Sequence, residues 1–299
     1  MAVSGVWIPV TLLASSAQTL RNAMQRDLIG ALGAVGAAQV RFLFGLPFAL
    51  MFLGGVLVWT GLHLPPLTAI NLAWTGFGAV SQVIATALML AAMRTKSFVV
   101  AVAYTKTEAA QIALFGLIAL NNPPTASLMA AIALATVGVA LMAIRSRKEL
   151  AADWRSTALG LLSATFFAFA AIGFRSAVIG VESPSRLLAA SVVLVVGLAI
   201  QSLALGLYLG VFDRAGARAI IGAWRSSLFA GFMGAFASQL WFVAFALSEA
   251  APVRTLALIE VPMAQVVSLN MFREPPSLRE ALGISLIVIA AGILVWTAR

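Results

Sequence analysis

Ten runs of about 20 mainly apolar residues follow one another along this chain, each long enough to cross about 30 Å of hydrocarbon as a helix. Their approximate limits are 4–22, 40–60, 69–93, 98–119, 126–145, 157–178, 186–210, 226–247, 251–271 and 277–297. The stretch 23–39 is apolar but glycine-rich, and reads either as an extension of helix 2 or as a linker before it. Only 10% of the 299 residues are charged, against about 25% in a soluble domain, whose surface must face water. A soluble fold is excluded. The expected class is an all-α integral membrane protein whose surface faces the lipid bilayer.

The net charge of +9 does not point to nucleic acid, because the cations lie in short connectors with no polar domain to hold a basic surface. In that position lysine and arginine set membrane orientation and meet anionic lipid. Fourteen of the 19 fall in connectors 1/2, 3/4, 5/6, 7/8 and 9/10, Arg21 and Arg41 among them, against four on the other side, including Arg254. The positive-inside rule then places both termini outside. Trp7, Trp59, Trp74, Trp224 and Trp296 fall near expected helix ends, where indole prefers the interface. Trp154 falls in a connector. The first apolar run lacks the basic start of a cleavable signal and is expected to remain as a helix.

The chain repeats itself. A shift of 152 pairs Glu108 with Glu260, Leu117 with Leu269, Pro123-Pro124 with Pro275-Pro276, and Ile132 with Ile284. A shift of 154 pairs Leu20-Arg21-Asn22-Ala23 with Phe174-Arg175-Ser176-Ala177. Two copies of five helices, 1–148 and 149–299, are expected. An odd number of spans per copy turns the copies upside down to each other, the architecture of many secondary transporters.

The stretch Ile259-Glu260-Val261-Pro262, Phe272-Arg273-Glu274-Pro275-Pro276-Ser277, Gly283 and Ala291-Gly292 resembles the repeat ending of the EamA type, within the drug/metabolite transporter superfamily. The first copy resembles it less: Lys106-Thr107-Glu108 matches the start, but Asn121-Asn122-Pro123-Pro124-Thr125 lacks the acid of the turn. Arg41-Phe42 is similar to the family's usual Arg-Phe opening helix 2. The resemblance implies ten helices as two inverted repeats and export of small metabolites by alternating access around a central cavity. Amino acids, aromatic or hydrophobic ones included, are the expected substrates, as for members of the YddG type. It also implies a bacterial inner membrane, no cofactor, no required oligomer, and both termini in the cytoplasm, opposite to the charge count.

Three ionisable groups fall inside expected spans: Lys106, Glu108 and Glu260. A charge at mid-helix costs about 2.5–3.5 kcal/mol on insertion scales, so it faces a bundle interior or a wet cavity. Lys106 and Glu108 are two apart, about 200° around a helix, and are expected to need separate partners. Glu108 and Glu260 read either as symmetry-related structural acids or as proton-coupling groups. Lys106 has Leu258 as its counterpart, so it reads either as a one-sided cation for an asymmetric solute or as a side chain reaching for the interface. Gln18, Asn22, Ser81, Gln82, Tyr104, Ser238 and Gln239 are candidate lining residues, with helix packing as the competing reading for each. Trp241, beside Phe242, is a candidate pocket wall. A central cavity reaching Lys106, Gln82 and Trp241 together is the expected form of the site.

Enzyme motifs are absent. His63 is the single histidine, there is no cysteine, and the sequence has no phosphate loop, zinc-protease helix or nucleophile elbow. An ATP-driven pump within this chain is thereby excluded, and no metal is expected. The competing reading, a membrane enzyme acting on a lipid-linked substrate, would need a catalytic cluster around Arg145–Arg155 with Glu149 and Asp153.

Overall fold

The computed structural model describes residues 5–94, 96–119, 125–143 and 154–297. Among them every regular element is a helix. Eight segments are long and apolar enough to cross a membrane, and a shorter apolar helix covers Ala126–Met142. The chain is therefore a multi-pass, all-α membrane protein.

In chain order the helices are α1 (Trp7–Leu43), α2 (Gly45–Thr60), α3 (Ala69–Ala92), α4 (Phe98–Thr105), α5 (Glu108–Ala119), α6 (Ala126–Ala143) and α7 (Trp154–Gly180). They continue as α8 (Arg186–Phe212), α9 (Arg214–Gly222), α10 (Trp224–Leu247), α11 (Ala250–Leu256), α12 (Glu260–Val267) and α13 (Leu278–Thr297). A 3-10 turn, Ala257–Ile259, joins α11 to α12, and a π-helical turn, Ser268–Phe272, follows α12.

α1 is two helices folded back on each other. At Gly33 the backbone takes φ 68° and ψ 174°, a region confined almost entirely to glycine. Gln25 Nε2 donates to the Ala37 carbonyl at 2.8 Å, although in a straight helix these residues would lie about 18 Å apart. Residues 23–39 are thus neither a linker nor a plain extension of helix 2. They finish one helix and begin the next. The reversal also moves two cations: Arg21 and Arg41, expected at connector edges, lie in the interior at 0% and 1% exposure.

Two of the expected spans are interrupted. Between α4 and α5, Lys106 and Thr107 form a turn, and the hydroxyls of Thr105 and Thr107 take the carbonyls of Val102 and Tyr104, three residues back. Between α11 and α12 the chain tightens into its 3-10 turn. Pro262 has no N–H for the Leu258 carbonyl, so the regular ladder restarts at Glu260. Under the shift of 152, residues 105–107 correspond to 257–259. Both breaks therefore fall at one repeat position, each followed by a helix headed by its glutamate.

The helices pair α1 with α10, α3 with α7, α2 with α8 and α6 with α13. Lipid offers little hydrophobic drive for association, so close backbone approach at small residues does more of the work. A Cβ on Gly138 would lie 2.7 Å from the Gly283 carbonyl oxygen, and one on Gly283 would lie 2.5 Å from that of Gly138. Among the tryptophans, Trp59, Trp74, Trp224 and Trp296 are exposed, but Trp7 is buried and Trp154 opens α7 instead of lying in a connector.

The reversal at Gly33 is directly testable. No atom lies within 4 Å of a Cβ built at Gly30 or Gly33, so only the backbone distinguishes them. Gly33→Ala should cost about 1–3 kcal/mol, whereas Gly30→Ala should be neutral or stabilising by up to about 1 kcal/mol. Thermal unfolding in detergent reads both, and equal effects would show that the turn does not depend on the glycine.

Candidate functional site

The two helix breaks meet. Lys106 Nζ lies 2.8 Å from Glu260 Oε2 and 3.8 Å from Glu108 Oε1. Arg254, on α11, reaches Glu108 Oε1 at 3.4 Å. Gln18, on α1, donates its amide to both Glu260 oxygens at 2.9 Å and accepts from Trp241 Nε1 at 2.8 Å. The Arg254 guanidinium lies over the Trp241 ring, 4.4 Å from its centroid, and over Phe245 at 5.2 Å. Side chains of α1, α5, α10, α11, α12 and the turn at Lys106 thereby close on one ionic knot, shielded from solvent, where charges attract more strongly than in water.

The break in the helix overturns one expectation. Two residues apart on an intact helix, Lys106 and Glu108 would face different ways, but the turn between them brings their charges within ion-pair range. Lys106 does not reach for the interface either; it is 3% exposed and ion-paired. The count of three interior charges was too low. Arg254, Arg21 and Arg41 are buried in the same interior. With those three cations removed from the connectors, the remaining ones keep the same side-to-side bias.

The other candidate residues divide in two. Asn22 Oδ1 accepts from Arg21 Nη2 at 2.6 Å. Ser238 Oγ accepts from Arg41 Nη2 at 3.3 Å. Gln239 is buried with both amide atoms lacking a partner. Asn22 and Ser238 are thus tied to the buried arginines. Gln82, by contrast, accepts from Gln201 at 2.8 Å and ties α3 to α8. Tyr104 bonds Thr157 at 3.2 Å and packs on Gly160 of α7, and Ser81 is buried in α3. Gln82 and Tyr104 thus each meet a partner on a neighbouring helix. Phe242 stacks against Phe174, so the aromatic partner of Trp241 is Phe245, one turn on. Arg21 and Arg175, matched in sequence, have different roles, since Arg175 holds the carbonyls of Phe245 and Ser248 at the end of α10. The cluster required by the enzyme reading, Glu149 and Asp153 with Arg145, Arg147 and Lys148, lies outside the described residues. No group of three or more metal-ligating side chains occurs among the described residues.

An open cavity joining Lys106, Gln82 and Trp241 was expected, and the structure differs: all three are buried, at 3%, 7% and 2% exposure. The space lies further out. A vestibule of about 510 Å³ opens at the 3/4 and 9/10 connectors, bounded by Arg26, Arg94, Lys96, Arg273, Glu274 and Glu280 among others. At its wall Arg26 Nη2 pairs with Glu274 Oε1 at 2.7 Å, and the Arg26 guanidinium stacks on Phe272 at 4.1 Å. Partial burial pushes the Glu274 carboxyl up, but hydrogen bonds from Arg26 and Ser268, the Arg26 charge and the Phe98 amide outweigh it and hold it below the ordinary range. The sign follows: the contribution of this latch is full above the ordinary carboxylate pKa and is lost as pH falls through the lowered one.

The ionic knot makes its own forecast. Lys106→Met strands two carboxylates in a dry interior and should cost about 3–5 kcal/mol. Adding Glu260→Gln should recover part of that loss, with a coupling energy of about 0.5–3 kcal/mol for residues in contact. A double-mutant cycle on thermal unfolding measures it, and strictly additive losses would mean the pair is not coupled. Among known proteins, no family model matches this chain and no curated protein does. Twenty-one solved chains are similar to it. One, described only as "Crystal structure of protein", matches with a TM-score of 0.65 over 100% of this chain and 99% of its own, at 13% identity. That likeness shows a shared fold.

Proposed function

We propose that the chain is a secondary transporter of the bacterial inner membrane, exporting small metabolites, amino acids first among them, by alternating access of two inverted five-helix halves, 1–148 and 149–299. Splitting α1 at Gly33 and adding Ala126–Met142 to the eight long segments brings the spans to ten. The packing supports an inverted repeat. Exchanging the halves turns the α1–α10 pairing into α7–α3, and both are made. It also exchanges the α4–α12 contact with the α11–α5 contact, and both of these are made as well. The motif resemblance of Glu260-Val261-Pro262 and Arg273-Glu274-Pro275-Pro276-Ser277 to EamA-type repeats points the same way.

The observation that carries the reading is the contact between Lys106 Nζ of one half and Glu260 Oε2 of the other at 2.8 Å. It lies where two helices break at equivalent positions, the arrangement by which transporters expose backbone and charge to a solute at mid-membrane. A purely structural repeat would have no need of a cation in one copy alone. The ionic contacts close the centre, while the vestibule marks the side from which it opens. A solute with a charged end competes with Glu260 or Glu108 for Lys106 and frees the halves to rock.

In proteoliposomes, radiolabelled aromatic and aliphatic amino acids should cross faster than in protein-free vesicles. Lys106→Gln should abolish the excess while the protein remains monodisperse. A broad amino-acid panel showing no flux, with and without a pH gradient, would remove the proposal.

A further inference from the structure

The interior is not electrically balanced. Around the breaks the described residues bury four cations, Arg21, Arg41, Lys106 and Arg254, against two carboxylates, Glu108 and Glu260. Lys106 and Arg254 are ion-paired. Arg21 and Arg41 are not. The hydrogen-bond partner of Arg21 is the neutral Asn22 Oδ1. Those of Arg41 are the hydroxyls of Thr86 and Ser238, at 3.2 and 3.3 Å. Arg21 is attracted by Glu260 and repelled by Arg254, while Arg41 is repelled by both Arg21 and Arg254. A guanidinium cannot shed its proton in a protein, so it cannot escape this environment by neutralising itself.

Donors are left over on both side chains. Arg21 Nη1 and Arg41 Nε are buried without a partner, as are both amide atoms of Gln239, next to Ser238 in sequence. The two arginine stems converge on α10 at Gly234, where a Cβ would lie 2.9 Å from Arg41 Cγ and 3.5 Å from Arg21 Cδ. The approach to them is basic as well. Arg26 of the vestibule is five residues from Arg21, about 7.5 Å along the helix. The vestibule rim carries Arg26, Arg94, Lys96 and Arg273 against Glu274 and Glu280. Such a field concentrates anions at its mouth.

We propose that Arg21 and Arg41 form a buried oxyanion-binding site, holding a carboxylate or phosphate group of the solute between their unused N–H donors. Paired guanidinium forks suit the planar or tetrahedral oxygens of such a group better than a point charge does. That the oxyanion is cargo rests on the transport reading; that it binds rests on the unpaired buried charges.

The test uses the full chain in detergent. Its melting temperature is followed against 3-phenylpropionate, the neutral 3-phenylpropionamide, inorganic phosphate and chloride, at matched ionic strength. At least one oxyanion should raise the melting temperature saturably while the amide and chloride do not, and the one that does so identifies the group. Arg41→Gln should remove that shift without lowering the ligand-free melting temperature, since it deletes an unpaired charge. Should Arg41→Gln fail to fold, Arg41→Lys carries the comparison, with half-saturation raised about tenfold or more by loss of the charge-assisted fork. An amide or chloride response equal to that of the oxyanions, or a wild-type response in Arg41→Gln, overturns the site. In proteoliposomes, amino-acid flux with unchanged KM in Arg41→Gln would also overturn the site and leave transport standing. Saturable oxyanion binding without any flux would do the reverse.

Discussion

Charge buried in a lipid-facing protein is costly unless it is partnered, and this constraint organises the molecule. Six ionisable side chains lie around the centre of a chain that is otherwise overwhelmingly apolar. Each would be costly alone in hydrocarbon. Lys106 satisfies Glu260 and Glu108, Arg254 satisfies Glu108 and covers Trp241, and Gln18 fastens Glu260 to Trp241. The helices carrying them are held together less by apolar burial, which lipid supplies equally well, than by these polar contacts and by close backbone approach at glycine.

Irregular backbone is what makes the knot feasible. An unbroken helix through residues 98–119 would send Lys106 and Glu108 to different neighbours, and a straight α1 would leave Arg21 and Arg41 far apart. The turn at Lys106–Thr107, the 3-10 turn before Glu260 and the reversal at Gly33 each move charge from the periphery to the middle. Irregular backbone at membrane depth is tolerated where protein surrounds it, and Lys106, Ala257 and Leu258 at the two breaks are buried.

The central charges are buried, and the vestibule lies outside them. In the vestibule wall Arg26 pairs with Glu274 and lies over the Phe272 ring. Among the described residues the vestibule lining carries Arg26, Arg94, Lys96 and Arg273 against Glu274 and Glu280. Arg21 and Arg41, buried and without an ionic partner, carry the same sign as most of the charges in that lining.

Membrane insertion, helical class and the approximate spans were legible in the amino-acid order, because lipid imposes a length and a polarity that any reader can measure. The duplicated Glu108 and Glu260 were legible too, as charges where charge is expensive, and the structure brings both to one knot. Tertiary structure decided the rest. Hydropathy windows end a helix at its first polar residues, so Arg21 and Arg41 read as connector cations until Gly33 folded them inward. Helical spacing assumes an intact helix, so it separated Lys106 from Glu108, which a local turn unites. Arg254 looked like an orientation signal because a single sequence carries no record of which partner a cation meets across the bundle. For Gln82 and Tyr104 the sequence left lining and packing both open: a polar side chain in lipid needs a partner, and only the packing of distant helices decides that Gln201 and Thr157 are theirs.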